Sequence, residues 1–322
     1  MKAIVIDEFG GPDVLNYREH PVPEFGDDQV LIRVKAAGVN PADWKIREGY
    51  VAQLFPHQLP LVLGWDMAGV IDSVGKNISS FKPGDEVYCF PRLPTVQHGT
   101  YAEFAPADSD MLATKPENLS FEQSATLPLV TLTAWQALVD FGELQAGQSL
   151  FVSAGAGGVG GMAIQIAKHL GARVCTTASA GNHDYLRELG ADHIIDYNNE
   201  NIDESVKAFQ KDGVDLVFDC TGSEDVVINF NYVRKPGGRV ATINGLVHTI
   251  PELEKNAELH NVTAKLVVVE PRGAQLGKLT KLFEREALRP LPVESYPLED
   301  AGLALQKSEE GHVRGKLALI ID

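Results

Sequence analysis

Ser149-Leu-Phe-Val-Ser-Ala-Gly-Ala-Gly-Gly-Val-Gly160, continuing as Gly161-Met-Ala-Ile-Gln-Ile-Ala-Lys-His-Leu170, is the stretch whose reading decides the fold. Ser149–Ser153 reads as a strand and Val159–Leu170 as a helix, because a short apolar run gives way to apolar residues at helical spacing. Between them stands Gly155-Ala156-Gly157-Gly158-Val159-Gly160, a G-x-G-x-x-G. Alone, that pattern is weak. In a strand-to-helix turn each glycine has its own reason: Gly155 makes the tight turn, Gly157 admits a pyrophosphate, and Gly160 lets helix pack on strand. The diphosphate then faces the positive end of the helix. Gly158 and Val159 complete the expected dinucleotide loop.

Downstream the alternation continues, with strands at Arg173–Thr177, His193–Asp196, Val214–Asp219, Arg239–Asn244 and Ala264–Val269. Helices are predicted at Asp184–Leu189, Ile202–Gln210 and 225–234. About six strands alternating with helices predict one doubly wound parallel sheet. Upstream the rhythm differs. Met1–Asp7, Gln29–Lys35, Met67–Val74 and Glu86–Phe90 are short β-like runs separated by Gly, Pro and Asp turns. The tail reads as helices near 274–286 and 299–308 and a final strand, Lys316–Ile321. The expected organisation is a mainly β domain, 1–120 with 272–322, and an α/β cofactor domain, 121–271.

With 322 residues, 44% hydrophobic and 22% charged, the chain has enough apolar content for two ordinary cores. A net charge of −16 argues against nucleic acid, whose binders need a clustered basic surface. The first residues lack a secretory pattern, and no apolar stretch reaches the roughly 18 to 20 residues that span a bilayer. A soluble, cytoplasmic protein is expected, with no membrane partner. Cys89, Cys175 and Cys220 are scattered singly, which supports neither a disulfide framework nor a cysteine zinc site.

Cofactor choice is argued from the end of the second strand of the α/β part, where an NAD-selective site places an acid on the ribose. Here Thr177-Ala-Ser-Ala180 offers none before Asp184, so NADPH is favoured over NADH. Asn182 and His183 stand where a cation would be welcome.

Ala37-Gly-Val-Asn-Pro-Ala-Asp-Trp-Lys-Ile-Arg-Glu-Gly49, Gly64-Trp-Asp-Met-Ala-Gly-Val70 with Gly75, Lys82-Pro-Gly-Asp-Glu-Val87, Leu132-Thr-Ala-Trp135, Gly157-Gly-Val-Gly160, Leu189–Tyr197 and Arg314-Gly-Lys316 carry a resemblance. Together and in order they resemble the medium-chain dehydrogenase/reductase superfamily, and within it the quinone oxidoreductase and enone reductase branch. The resemblance implies a GroES-like β domain beside a Rossmann domain, with the active site in the cleft between them, and a homodimer as a common arrangement. Zinc-dependent members carry a Cys, a His and a further ligand. This sequence has Asn40 and Trp65 at the first two positions, and no Cys, His or acid between Thr126 and Trp135. Asn and Trp cannot replace thiolate and imidazole, so no zinc is expected.

Without a metal to stabilise a localised alkoxide, the substrate must spread the charge itself, which selects a quinone or an enone. The expected function is NADPH-dependent quinone reduction. The alternatives are an alkenal or enone C=C reductase and, from another class, an NADPH-binding sensor or structural protein with little turnover. Asn40 is a candidate amide donor to the cofactor ribose or the developing oxyanion. Tyr50 is a candidate proton donor. Thr131 matches a threonine that the family uses near the nicotinamide. Ser179, Asn182 and Tyr197 are expected around the adenosine phosphate, Arg314 and Lys316 near the cofactor phosphates, and Trp65 in the substrate pocket. Asp43 and Asp66 are left out of the site, Asp43 because Lys45 and Arg47 stand nearby to pair with it and Asp66 as an organiser of the cleft.

Overall fold

The computed structural model describes residues 1–52, 54–221, 228–243 and 250–322. They form two compact units, Met1–Leu132 with Glu270–Asp322, and Thr133–Val269. In the first unit the strands are β1 (Lys2–Ile6), β2 (Asn16–Glu19), β3 (Gln29–Val39), β4 (His57–Val62), β5 (Asp66–Val74), β6 (Glu86–Cys89), β7 (Val96–His98), β8 (Phe104–Asp108) and β9 (Leu112–Thr114). Helix α1 (Pro41–Arg47) follows β3 at once, and α2 (Phe121–Ala125) and α3 (Pro128–Trp135) follow β9. The long β3 is apolar at nearly every position, and Val30, Ile32, Val34, Ala36, Ala37 and Val39 are all buried. Such a strand suits the centre of a sheet.

The second unit holds β10 (Ser149–Val152), α4 (Gly158–His169), β11 (Arg173–Ala178), α5 (His183–Glu188), β12 (His193–Asp196), α6 (Ile202–Phe209), β13 (Leu216–Asp219), β14 (Arg239–Thr242), α7 (Ile250–His260) and β15 (Thr263–Leu266). Its six parallel strands run in the order β12-β11-β10-β13-β14-β15. The chain leaves β10 toward one edge and returns on the other side at β13. That reversal is where α/β sheets bind ligands, beyond the carboxyl ends of the strands. Phe151, Cys175, Ile195, Val217, Phe230 and Val240 pack in one core cluster of this unit.

The tail returns to the first unit as α8 (Gly273–Glu284), β16 (Val293–Pro297), α9 (Ala301–Glu310) and β17 (Lys316–Ile320). The resulting sheet runs β16-β17-β3-β5-β6-β9, with β8 also paired to β3, and a smaller sheet runs β2-β1-β4-β7. The molecule is thus α/β overall, a GroES-like β unit and a Rossmann unit. Register then sets the site. Leu317 of β17 faces Val39 of β3, and Gly38 of β3 faces Asp66 of β5. One end of three neighbouring strands therefore presents Lys316, Asn40 and Asp66 together.

Three readings differ from the sequence expectation. The division between units falls at Leu132/Thr133 rather than near 120, because α2 packs on β3, β5 and β17 of the first unit. Of the helix expected over 225–234, residues 225–227 lie outside the described residues, and the rest is one 3-10 turn, Ile228–Asn231, ahead of Val233, which bridges Val214. Val214, expected to open β13, instead forms that isolated bridge, β13 beginning at Leu216, and Asn244, expected to end β14, lies outside the described residues. Among the described residues, no helix is long and apolar enough to cross a membrane.

Candidate active site

In the first unit, Asn40 ends β3 and starts α1, and only 1% of it is exposed. Its backbone N–H donates to Asp43 Oδ2 (2.8 Å), which reaches back from the third position of α1. Its carboxamide Nδ2 donates to Asp66 Oδ2 (2.9 Å), and its Oδ1 accepts from the Lys316 ammonium. Lys316 also donates to the Val39 carbonyl (2.7 Å) and is 4% exposed. Asp66 Oδ1 accepts from the Leu129 N–H at the start of α3 (2.9 Å), and the Tyr101 hydroxyl donates to Asp43 Oδ2 (2.8 Å). One cation and two carboxyl groups are thus enclosed together. Burial pushes Asp43 up to about 7 and Asp66 up to about 6, the latter against the pull of Lys316. Burial also lowers Lys316, opposed by both aspartates.

Sequence reasoning leaves Asp43 and Asp66 out, and the geometry brings them in. Asp43 does not pair with its basic neighbours: Arg47 turns to Glu48, Glu309 and the Gly10 carbonyl, while Asp43 serves Asn40 and Tyr101. The overlooked signal is Asn40-Pro-Ala-Asp43, where an acid at the third helical position bonds back to the N-cap. Lys316, expected near cofactor phosphates, turns its ammonium inward onto Asn40 instead. Arg314 is exposed.

Thr131 lies on α3, fully buried, and its Oγ1 has no hydrogen-bond partner among the described residues. The helix backbone does not take it up. Trp65 packs edge-on against Phe55 (5.7 Å between centroids) and Phe90 (5.6 Å), and the Arg92 guanidinium lies 4.8 Å over Phe55. Tyr50 is 57% exposed and edge-on to Trp44. Among the described residues no bond joins it to the Asn40 cluster.

Zinc does not fit this arrangement. The Asn40 carbonyl already faces an ammonium, both Asp66 oxygens accept hydrogen bonds, and Trp65 offers no ligand atom. Among the described residues no group of three His, Cys, Asp or Glu side chains could hold a metal.

In the second unit, the glycine loop tests whether a dinucleotide fits. A Cβ on Gly155 would fall 2.2 Å from Thr176 Oγ1, and one on Gly160 would fall 2.4 Å from the Ala154 carbonyl, so the fold itself demands both glycines. On Gly157 the nearest atom would be the Ala154 carbonyl at 3.5 Å. Among the described residues nothing requires Gly157 to lack a side chain, and its open face is the space a pyrophosphate would use. Gly157 is the N-cap of α4, and among the described residues no side chain caps the first N–H groups of the helix, the kind of groups that receive a diphosphate. The loop is held by Thr177, whose Oγ1 accepts from the Ala154 N–H (3.1 Å), and by Ser153, whose hydroxyl donates to Asp219 (2.8 Å). Beyond β11, Asn182 Nδ2 donates to Ser179 Oγ (3.2 Å), so these two expected residues meet. Tyr197, just past β12, is 44% exposed.

Residues 26–117 match the family described as alcohol dehydrogenase GroES-like domain, and residues 189–319 the one described as zinc-binding dehydrogenase. The chloroplastic NADPH-dependent alkenal/one oxidoreductase of Arabidopsis thaliana is 38% identical over 99% of this chain and 79% of its own length. Quinone oxidoreductase of Mus musculus is 33% identical over 100% of this chain and 98% of its own. The solved quinone oxidoreductase of Coxiella burnetii superposes with a TM-score of 0.89 at 34% identity, covering 100% of this chain and 99% of that one. The chain belongs to the medium-chain dehydrogenase/reductase superfamily, in its zinc-free quinone oxidoreductase and enone reductase branch.

Proposed function

We propose that the protein is an NADPH-dependent oxidoreductase that reduces conjugated carbonyl compounds, quinones first and enones second, without zinc. The observation that carries this reading is the Asn40 carboxamide, fixed between Lys316 and Asp66 where metal-dependent relatives place a thiolate. An amide has two N–H groups, and Asp66 takes one of them, so one remains to support a negative oxygen. NADPH, when bound, supplies a hydride whose electron pair ends on the carbonyl oxygen of the conjugated acceptor, and water returns the proton.

The residues of the second unit bind and orient. The open face of Gly157 and the first N–H groups of α4 take the diphosphate. The end of β11 carries no acid, which leaves Ser179, Asn182 and Tyr197 to meet a 2′-phosphate. In the first unit the buried Thr131 hydroxyl has no partner among the described residues and is ready for one, and Phe55, backed by the buried Trp65, offers apolar surface to a conjugated ring.

The test is the loss of reduced-nicotinamide absorbance by chelator-treated protein, with NADPH or NADH, against quinones, enones and saturated aldehydes. Turnover of conjugated acceptors with NADPH supports the reading. Activity confined to saturated aldehydes, or tight NADPH binding with no turnover, overturns it. Enone reduction has specific support in the name of the Arabidopsis relative, and the same panel ranks the two acceptor classes.

A further inference from the structure

We infer that Lys316 is a positioning residue whose ammonium polarises the Asn40 carboxamide and fixes which way round it sits. The inference rests on the proposed role of Asn40 as the donor to the developing oxyanion. A terminal carboxamide is nearly symmetric in shape, and a half-turn exchanges its oxygen for its nitrogen. Here that half-turn is forbidden at both ends. It would set Nδ2 against the Lys316 ammonium, two donors face to face, and Oδ1 against Asp66 Oδ2, two acceptors face to face. One orientation survives, and its second N–H has no partner among the described residues.

Lys316 does more than orient. A cation on an amide oxygen draws electron density through the conjugated O–C–N unit and makes the remaining N–H a stronger donor, and the effect is largest in a buried, low-dielectric setting. Lys316 is nearly inaccessible to water, and its other bond is to the Val39 carbonyl one residue before Asn40. The charges facing it are Asp66 from β5 and Asp43 from α1. Asp66 in turn joins this cluster to α3, the helix that carries Thr131. The ammonium therefore acts on the acceptor through Asn40, without touching it.

The test is a double-mutant comparison on the full-length protein, Lys316→Met alone, Asn40→Ala alone, and both together, with kcat, KM and the NADPH dissociation constant measured for each. Lys316→Met is expected to lower kcat about tenfold or more while NADPH affinity stays within about threefold, and to have less than about a twofold effect once Asn40 is already alanine. Its effect is also expected to be larger for enones, whose enolate oxygen is more basic, than for quinones. Equal losses in both backgrounds, or no loss in the parent, overturn the inference. If Asn40→Ala itself keeps full activity, the reading of Asn40 fails, and the role of Lys316 fails with it. Should Lys316→Met not fold, Lys316→Gln, which keeps a donor to Asn40 without the charge, goes through the same comparison.

Discussion

Thr131 Oγ1 and Asp43 Oδ1 are buried with no hydrogen-bond partner among the described residues. An unpaired buried hydroxyl costs about 1 to 3 kcal/mol, and an apolar isostere removes that cost. Thr131→Val is therefore expected to leave the thermal midpoint of the cofactor-free protein unchanged or higher while weakening NADPH about fivefold, as read by melting curves and fluorescence titration. A purely structural threonine would lower the midpoint and leave NADPH affinity unchanged. Asp43 gives a pH signature. Its carboxyl and that of Asp66 are raised to about 7 and about 6 from 3.8, so the folded protein binds more protons than the unfolded chain across that interval. Stability from these groups is present below about pH 4 and lost as pH rises through 6 to 7. Asp43→Asn keeps an acceptor for Asn40 and Tyr101, and is expected to match the parent near pH 4 and exceed it at pH 8 by about 1 kcal/mol or more in denaturant melts. Asn40, Thr131 and Lys316 are visible in the sequence as candidates, but the partners of Asn40 are not. A pair such as Asn40 and Lys316, 276 residues apart, is made by strand register, which no local pattern encodes.

At the scale of elements, the glycine loop separates fold from function within one turn. Gly157→Ala adds a methyl group with ordinary clearance at φ −79°, so stability is expected to change by no more than about 1 kcal/mol while NADPH affinity falls more than about tenfold. Gly160→Ala drives a methyl group into the Ala154 carbonyl and is expected to cost about 1 to 3 kcal/mol of stability with or without cofactor. Calorimetry with and without NADPH distinguishes the two. This loop and its flanking β10 and α4 can be read from sequence because strand, turn and helix are contiguous there. The 3-10 turn at Ile228–Asn231 cannot, since its sequence Ile-Asn-Phe-Asn has helical spacing yet ends where Val233 is needed to bridge Val214.

For the whole molecule, cofactor binding and stability are linked, because a ligand that binds only the folded state raises the melting point by mass action, about 2.7 kcal/mol at a hundredfold excess over its dissociation constant. NADPH is expected to raise the midpoint more than NADH at equal concentration, and prior dialysis against a chelator is expected to change neither the midpoint nor the turnover. Equal shifts would contradict the reading of the acid-free end of β11. The two-part plan is legible in the change of rhythm from β runs to alternating strand and helix. The return of the tail as β16 and β17 is only half legible, because β16, with its exposed Glu294 and Ser295, carries too little apolar alternation to be seen.

The lateness of β17 has a consequence for how the protein is made. The Val39 carbonyl leaves the ribosome 277 residues before the lysine that binds it, and the whole of Thr133–Val269 is translated in between. Until then Ala36–Val39 of β3 is paired with β5 on one side only, and Asp43 and Asp66 have no buried cation beside them. A chain released early thus carries an open strand edge, which invites aggregation or proteolysis, and an incomplete site. A chain that stops before β17 is therefore expected to lose turnover and stability together.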